Sequence, residues 1–286
     1  MLLTIFTPVY NRAYCLHKLY KSLCHQSCTD FEWIIVDDGS SDNIDDVVNE
    51  FINDNWVKIK YYKKKNGGKH TAINFGVNMA EGEMFYIVDS DDYIPDDAVQ
   101  FIIDSSLEIV DDDSYVGISG CDITVGGTVL SNILSPISAS SLDIRYKYKI
   151  VGDLAEVFKT RVLAKYPFPE ITGERFCPEA LVWNRMATDG LIIKYYPKIL
   201  KIIEYMPDGL TAGIVKARMN SPILALACYG EMVKNSKIPQ KQRVKASINY
   251  WRFWFCLNKK SINISLKWLW TFPFGAFMHF RDLKRK

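Results

Sequence analysis

The stretch EMFYIVDSDD (83–92) decides the fold of this chain, because a short apolar run ends there in three carboxylates. Runs of this length and composition are typical of a buried β-strand. The stretch FEWIIVDDG (31–39) has the same form, with Asp37 and Asp38 at its end. Segments with apolar residues at helical spacing separate such runs. The pattern predicts strands and helices that alternate, with parallel pairing and right-handed crossovers.

The first half of the chain is predicted to contain four strands and four helices. The strands are LLTIFTP (2–8), FEWIIVDDG (31–39), WVKIKYY (56–62) and EMFYIVDSDD (83–92), and the helices cover 16–23, 44–52, 70–80 and 96–110. We expect Asn11 to cap the first helix. Both acidic clusters follow strands, and the ligands of such sheets bind outside the carboxyl ends of the strands.

The second half is less regular. A strand that begins near residue 115 is expected to turn at Gly126-Gly127, and the serine-rich residues 131–150 are interpreted as a loop. Strand, helix and strand are predicted in 155–168, 180–190 and 191–205, followed by a helix over 220–234.

Length and composition suit a globular protein. The 286 residues, of which 48% are hydrophobic and 24% charged, fit one large domain with an appendage. Seven irregularly spaced cysteines predict reduced thiols. Because the sequence opens with a strand-like run and not with a secretion signal, we expect a cytoplasmic protein.

Charge is distributed unevenly along the chain. From Pro239 onward there are 11 Lys and Arg residues and one acid, Asp282, so this tail carries +10 and the rest of the chain −8. The Trp- and Phe-rich segments 248–256 and 264–280 are too short to span a bilayer, which needs about 20 apolar residues. Aromatic segments flanked by basic residues favour a position in an anionic membrane interface. The alternative is that these aromatics pack on the domain as a covering helix.

The acidic cluster 89–92 is suited to a hard divalent cation. Carboxylates this close together repel one another unless a cation lies between them, and oxygen ligands suit Mg²⁺ or Mn²⁺. Such an ion can bridge two phosphates and take up charge on a departing diphosphate. The alternative is a solvated acidic turn that caps the next helix.

Three further clusters allow a functional and a purely structural interpretation. The turn 37–42 can accept hydrogen bonds from a base or a ribose, or can only form a turn. The segment 66–70 can bind phosphate through the positive charge of Lys69 and the free N–H groups of the helix N-terminus, to which two glycines give close backbone access. It can also form an ordinary glycine-rich turn. Glu174 and Glu179 precede the helix 180–190, where a carboxylate serves as a general base or as a helix cap.

Together these segments resemble glycosyltransferase family 2, whose members have the GT-A fold. The matching strings are TPVYNRA (7–13), VDDGSSD (36–42), NGGKHTAINFG (66–76), AEGEMFYIVDSDD (80–92) and PEALVWNRM (178–186). The resemblance implies an α/β fold with a mostly parallel, Rossmann-like sheet flanked by helices. It implies one GT-A domain (1–238), with a nucleotide-binding half (1–110) and an acceptor half (111–238), before a basic aromatic helical tail (239–286).

The resemblance also implies roles for residues at the ends of the first two strands. Thr7, Pro8 and Tyr10 would line the nucleotide pocket. Asp38 would match the acid that contacts the base, with Asp37 beside it.

The Asp-x-Asp pair of the family would be Asp89 and Asp91, with Asp91 as the direct ligand to Mn²⁺ or Mg²⁺ and Ser90 beside the donor. Relatives often have Ala-Arg-Asn in the third helix, where this chain has Ala-Ile-Asn ending at Asn74, and Asn74 is expected to bind the nucleotide sugar. Lys69 would then supply the missing phosphate contact.

The base of the family belongs to a Glu-Asp pair ahead of a helix that carries an Arg six residues on. Glu179 and Arg185 have this separation, which makes Glu179 the expected base. Pro178 stands where the first acid of the pair belongs, so Glu174 remains the alternative.

The implied reaction is a direct displacement with inversion, from a nucleotide-sugar donor, in the first place a UDP-sugar. The implied acceptor is a glycan or a polyprenyl-diphosphate-linked chain at the inner face of a bacterial membrane, and no nucleic-acid partner is expected. One alternative is a sugar nucleotidyltransferase, which usually carries a Gly-rich signature where this chain has VYNRAYC (9–15). Another is a non-catalytic, membrane-attached scaffold.

Overall fold

The computed structural model describes residues 2–206, 209 and 213–284, which form a mixed eight-stranded sheet flanked by helices. The strands are β1 (Leu3–Val9), β2 (Phe31–Asp37), β3 (Ile59–Lys63), β4 (Met84–Ile87), β5 (Tyr115–Thr124), β6 (Ile137–Ala139), β7 (Leu154–Lys159) and β8 (Ile192–Ile203). The α-helices are α1 (Leu16–Cys24), α2 (Ile44–Asp54), α3 (Lys69–Met79), α4 (Ala98–Leu107), α5 (Ser141–Tyr146), α6 (Thr160–Leu163), α7 (Ala180–Thr188), α8 (Ile214–Asn220), α9 (Pro222–Lys234), α10 (Gln240–Trp254) and α11 (Phe272–Leu283).

The order of the strands creates a crevice at one edge of the sheet. The order is β3-β2-β1-β4-β7-β5-β8-β6. Strands β1 to β4 pair in parallel, whereas β7 runs antiparallel to both β4 and β5. Strand β1 lies between β2 and β4, so the chain connects to neighbouring strands on both sides of β1. A ligand crevice forms outside the carboxyl ends of the strands at such a point. The predicted α/β fold is confirmed.

Alternating side chains divide the sheet between two hydrophobic cores. In β1, Leu3 and Ile5 face α1, α2 and α4, whereas Phe6 faces α3, α7 and α9. All three side chains are fully buried. Successive residues of a strand point to opposite faces, so the continuous apolar run of β1 follows from helices that cover both faces.

Three local predictions are wrong. The strand predicted over 155–168 is one of them, because β7 ends at Lys159 and α6 follows directly. Asn11 does not cap α1, because its backbone is left-handed (φ 53°) and its side-chain oxygen accepts a hydrogen bond from the backbone N–H of Ser41 at 2.8 Å. Residues 131–150 are not a loop throughout, since they contain β6 and α5. Ser140 caps α5 by accepting a hydrogen bond from the N–H of Asp143, so serines interpreted as loop residues begin a helix.

The predicted tail packs on the body through a third hydrophobic core. Helix α10 and the 3₁₀ helix Leu266–Thr271 bury Trp251 and Trp268 against residues of α9. Gly275 of α11 lies so close to α10 that an added Cβ would be 2.4 Å from the Cβ of Trp251. The last two residues of the predicted tail, Arg285 and Lys286, lie outside the described residues. The domain boundary at 238 stays a prediction.

None of the helices in the described part of the chain has the length and apolar character that a membrane span requires. All seven cysteines lie in that part as well, and none of them forms a disulfide there.

Candidate active site

The carboxyl ends of β1, β2 and β4 bring the two acidic clusters to one edge of the sheet. Tyr10 follows β1 with 48% of its surface exposed, and Pro8 is half-buried. The Thr7 side chain is fully buried, and its hydroxyl accepts a hydrogen bond from the indole N–H of Trp33 at 2.9 Å. Of the three residues expected to line the nucleotide pocket, Tyr10 is therefore the one with a freely accessible side chain.

Asp38 organises the glycine-rich loop before α3. Its carboxylate accepts hydrogen bonds from the backbone N–H groups of Gly67 (2.9 Å) and Gly68 (2.7 Å) and from Lys64 Nζ (2.6 Å). These glycines were expected to give phosphate close access to the backbone, but Asp38 already uses their two amides. Gly68 has φ +93°, and an added Cβ would lie 1.9 Å from the carbonyl oxygen of Arg175. Only glycine therefore fits where this loop meets the segment that leads to α7.

Asp37 and Ser90 are buried beside this loop and the end of β4. Asp37 is fully buried, and one of its carboxylate oxygens accepts a hydrogen bond from the N–H of Ser40 at 2.7 Å. Ser90 is 4% exposed.

Lys69, the first residue of α3, joins the acidic cluster to α7. Its Nζ atom lies 2.8 Å from a carboxylate oxygen of Asp89 and 2.9 Å from Oε1 of Glu179. Burial alone would lower the pKa of Lys69, but the two carboxylates raise it above its ordinary value. The lysine is therefore a permanent cation between them, and its side chain is 27% exposed.

Asp89 is held in its ionised form by surrounding cations. Burial would raise the pKa of its carboxyl, but Lys69, Lys201 and Arg12 together lower it below the ordinary value. The neighbouring acid Asp91 forms an ion pair of 2.5 Å with Arg12. Arg12 belongs to the string TPVYNRA (7–13), which runs from the end of β1 into the following turn. This position is the signal that could have identified it.

A lysine of β8 supports the acidic cluster. Lys201 of β8 lies 3.9 Å from Asp92 and 3.4 Å from the fully buried Asp122 of β5. Burial, together with Asp89, Asp91 and Asp122, raises the pKa of Asp92 to about 7. The contacts of Lys201 with Asp92 and Asp122 were not predicted. The one local signal was a lysine within the apolar run of β8. Its partner Asp122 belongs to β5, which is distant in sequence.

Glu174 and Asn74 have structural partners. The two carboxylate oxygens of Glu174 accept hydrogen bonds from the backbone N–H groups of Ile223 (2.7 Å) and Leu224 (2.8 Å), so Glu174 caps α9. Asn74 bonds to both backbone groups of Phe168 at 2.9 Å. By contrast, the Glu179 carboxylate is 39% exposed, and it shares the ammonium group of Lys69 with Asp89.

The donor set of Asp89 and Asp91 fits Mg²⁺ or Mn²⁺. In the described part of the chain, no three His, Cys, Asp or Glu side chains gather closely enough to hold a metal ion. A site with one or two carboxylates is nevertheless the usual arrangement where phosphates and water supply the remaining ligands. The Asp89 and Asp91 side chains are 38% and 18% exposed, so such an ion would compete there with Lys69 and Arg12.

Two proteins with similar sequences are bacterial glycosyltransferases. Glycosyltransferase GlyG of Streptococcus pneumoniae is 27% identical over 197 residues, which are 63% of this chain and 63% of that protein. The GalNAc(5)-diNAcBac-PP-undecaprenol beta-1,3-glucosyltransferase of Campylobacter jejuni is 28% identical over 222 residues, 75% of this chain and 68% of that protein. The chain thus matches less than two thirds of the length of GlyG.

Solved structures share the fold. TarS 1-349 of S. aureus in complex with UDP-GlcNAc has a TM-score of 0.60 at 20% identity, over 96% of this chain and 79% of that one. Mannosyltransferase PcManGT from Pyrobaculum calidifontis, in complex with GDP-Man and Mn²⁺, has a TM-score of 0.59 at 16% identity, over 99% and 75%. Residues 4–158, more than half of the chain, match the model of the family described as Glycosyl transferase family 2. The chain therefore belongs to glycosyl transferase family 2.

Proposed function

We propose that this protein is an inverting glycosyltransferase that moves a sugar from a nucleotide-diphosphate sugar, in the first place a UDP-sugar, to a hydroxyl group of a glycan or lipid-linked acceptor. The observation that carries the proposal is the position of Lys69 between Asp89, at the end of β4, and Glu179, at the start of α7. It supports a single centre in which the acid expected at the donor and the acid expected at the acceptor lie side by side.

Glu179 is the proposed general base. It would accept the proton of the acceptor hydroxyl while the acceptor oxygen forms a bond to the anomeric carbon. The bond from that carbon to the β-phosphate oxygen breaks, and its electron pair leaves with the nucleoside diphosphate. Glu174 is unsuited to this role because both of its oxygens hold the N-terminus of α9. A base must reach the proton that it removes.

Lys69 is the proposed link between donor binding and the base. Its ammonium group pairs with Glu179 in the structure, and a diphosphate between Lys69 and Asp89 would compete for that ammonium group. Charge-assisted hydrogen bonds to phosphate are strong, so Lys69 would turn towards the donor and release Glu179. Asp89 and Asp91 would hold a Mg²⁺ or Mn²⁺ ion, which would neutralise charge on the leaving diphosphate.

We also propose that the tail lies in an anionic membrane interface, where lipid-linked acceptors reside. One face of α11 packs on α10, and the other exposes Phe274 (55%), Phe277 (67%) and Phe280 (56%), with Trp270 (56%) at the preceding turn. The exposed basic residues Lys267, Arg281 and Lys284 lie on the same segment. Apolar side chains bordered by cations suit an interface rich in anionic lipid. The aromatic face of α11 stays exposed to solvent although the opposite face packs on α10. Packing on the body therefore does not bury these aromatic side chains.

Two other functions make different predictions. A sugar nucleotidyltransferase would release pyrophosphate from a nucleoside triphosphate and a sugar phosphate. A non-catalytic scaffold would show no metal-dependent binding of UDP. Family membership supports the glycosyltransferase over the nucleotidyltransferase. The ionised Asp89 supports a metal-binding centre over a non-catalytic scaffold.

Titration calorimetry with UDP tests the proposal before the donor sugar is known. We expect UDP to bind with Mn²⁺ present, and the affinity to fall at least tenfold with a chelator. Equal or absent binding in the two conditions would contradict the metal-dependent donor site.

A further inference from the structure

A cavity opens directly beyond the proposed base. Its lining includes Ala180, the residue that follows Glu179, and side chains of α5, α7, β7 and β8. Its volume is about 180 Å³, below the roughly 300–1,000 Å³ of pockets for drug-sized ligands, so only a small ligand would fit. The cavity lies on the same side of the sheet as α3 and α7, and therefore on the side of Lys69 and Glu179.

The register of the sheet places one wall of the cavity beside the acidic cluster. Strand β7 runs antiparallel to β4 and pairs Val157 with Tyr86. The next residue, Glu156, therefore lies beside the end of β4, from which the chain continues to Asp89. Glu156 lines the cavity.

Several polar side chains lining this cavity lack protein partners. Within the described residues, no hydrogen bond or ion pair involves the Glu156 carboxyl, the Tyr195 hydroxyl or the side-chain amide of Asn184. Glu156 and Asn184 are half-buried and Tyr195 is 1% exposed. All three groups line the cavity, so a polar ligand that enters it can form hydrogen bonds with them.

Helix α7 adds an aromatic surface to the cavity. Trp183 lines the cavity, and its ring packs on Phe158 with centroids 4.3 Å apart. Arg145 lines it too, and its guanidinium group donates hydrogen bonds to the carbonyls of Ile150 and Gly152. An indole that offers an apolar face and an N–H donor, surrounded by hydroxyl, amide and carboxyl groups, complements a sugar ring, which has apolar C–H faces and peripheral hydroxyls.

We infer that this cavity is the subsite for the acceptor sugar, with Glu156, Asn184 and Tyr195 bonding its hydroxyls beside Glu179. The inference rests on the proposed function and extends it to the acceptor. Burial raises the pKa of Glu156 to about 8, so at neutral pH its carboxyl is protonated and can donate a hydrogen bond as well as accept one. A carboxyl without a cationic partner suits a neutral sugar better than an anionic one.

Saturation-transfer NMR tests the inference with methyl glycosides of glucose, galactose, N-acetylglucosamine and N-acetylgalactosamine as probes, in the presence of UDP and Mn²⁺. We expect at least one glycoside to bind the wild-type protein. Its dissociation constant should rise at least tenfold in Glu156→Ala and in Asn184→Ala, and less than threefold in Glu156→Gln, which retains a donor and an acceptor. Asn184→Ala alters a half-buried side chain of α7 and keeps the test decisive if Glu156→Ala fails to fold.

Glu108→Ala is the matched control, because Glu108 pairs with Lys194 on the surface away from the cavity lining, and it should bind the glycoside as the wild type does. Binding of UDP should be the same in all variants. If no glycoside binds, or if Glu156→Ala and Asn184→Ala both bind it unchanged, the subsite is refuted. Glycoside binding without UDP binding would support the subsite and contradict the proposed donor site.

Discussion

Lys69 and Glu179 form a salt bridge of 2.9 Å that joins the first turn of α3 to the residue preceding α7. Lys69 begins α3, and Glu179 immediately precedes α7. Their contact depends on Gly68, which has no side chain and so lets the loop approach the backbone of Arg175. The proposed base is therefore positioned by the same loop that Asp38 organises.

Replacement of the proposed base should separate binding from chemistry. We expect Glu179→Gln to reduce the turnover number by about 10²–10⁴-fold, the usual contribution of a general base, with UDP affinity within threefold of the wild type. Transfer kinetics and calorimetry measure the two effects. Glu174→Gln is the matched control and should lower thermal stability, since a weakened bond to a buried N–H costs about 1–3 kcal/mol. Normal turnover in Glu179→Gln together with lost turnover in a folded Glu174→Gln would reverse the assignment.

Removal of the Lys69 ammonium group should weaken donor binding. We expect Lys69→Met to reduce UDP affinity by roughly 10–100-fold, equivalent to about 1.4–2.7 kcal/mol, and Lys69→Arg to retain part of it. Calorimetry measures the change. Lys58→Met is the control, because Lys58 pairs with the exposed Glu81 on the surface. Unchanged affinity in Lys69→Met would show that the lysine does not contact the diphosphate.

The stability of the protein should depend on pH through Glu156. Burial raises the pKa of this carboxyl from 4.5 to about 8, so between these values the folded chain binds more protons than the unfolded chain. Stability then falls as pH rises through this window. Glu156→Gln removes the effect, so its free energy of unfolding relative to the wild type should increase by on the order of 1–3 kcal/mol between pH 5 and pH 9.

Denaturant unfolding at several pH values measures this difference. Asp92, whose pKa is raised to about 7, titrates in the same window but is present in both proteins. A pH-independent difference between them would mean that Glu156 is ionised at neutral pH.

The exposed aromatic face of the tail should determine membrane binding. We expect simultaneous replacement of Trp270, Phe274, Phe277 and Phe280 by Ser to reduce binding to phosphatidylglycerol vesicles at least tenfold, since burying one large apolar side chain contributes about 1.5–3 kcal/mol. Vesicle sedimentation measures it. Deletion of the whole tail is less informative, because it would expose the core that Trp251 and Trp268 form with α9.

The control for the tail is Trp56→Ser, which removes a ring with 76% exposure on the body. It should bind vesicles as the wild type does. Equal binding of the fourfold variant and the wild type would refute the interfacial position.

The strand ends were predictable from sequence, whereas the contacts between distant segments were not. Apolar runs that end in Asp37 and Asp89 are local patterns, and the sheet confirmed them. The pairing of Lys69 with Glu179 depends on how two loops close, and the burial of Asp122 beside Lys201 depends on strand order. The role of Glu174 was undecidable from sequence because a carboxylate before a helix serves equally as a cap and as a base. Its partners belong to α9, about fifty residues further along the chain.

The release of nucleoside diphosphate from a panel of nucleotide sugars is the most direct measurement of the central claim. The purified chain would be incubated with Mn²⁺ and UDP-, GDP- or dTDP-linked sugars, and free nucleoside diphosphate would be quantified by chromatography. We predict release from at least one donor, its loss with a chelator, and its loss in Asp91→Asn, which keeps the size of the side chain but removes its charge. Release that persists in Asp91→Asn, or intact donors throughout the panel, would contradict a metal-assisted glycosyltransferase.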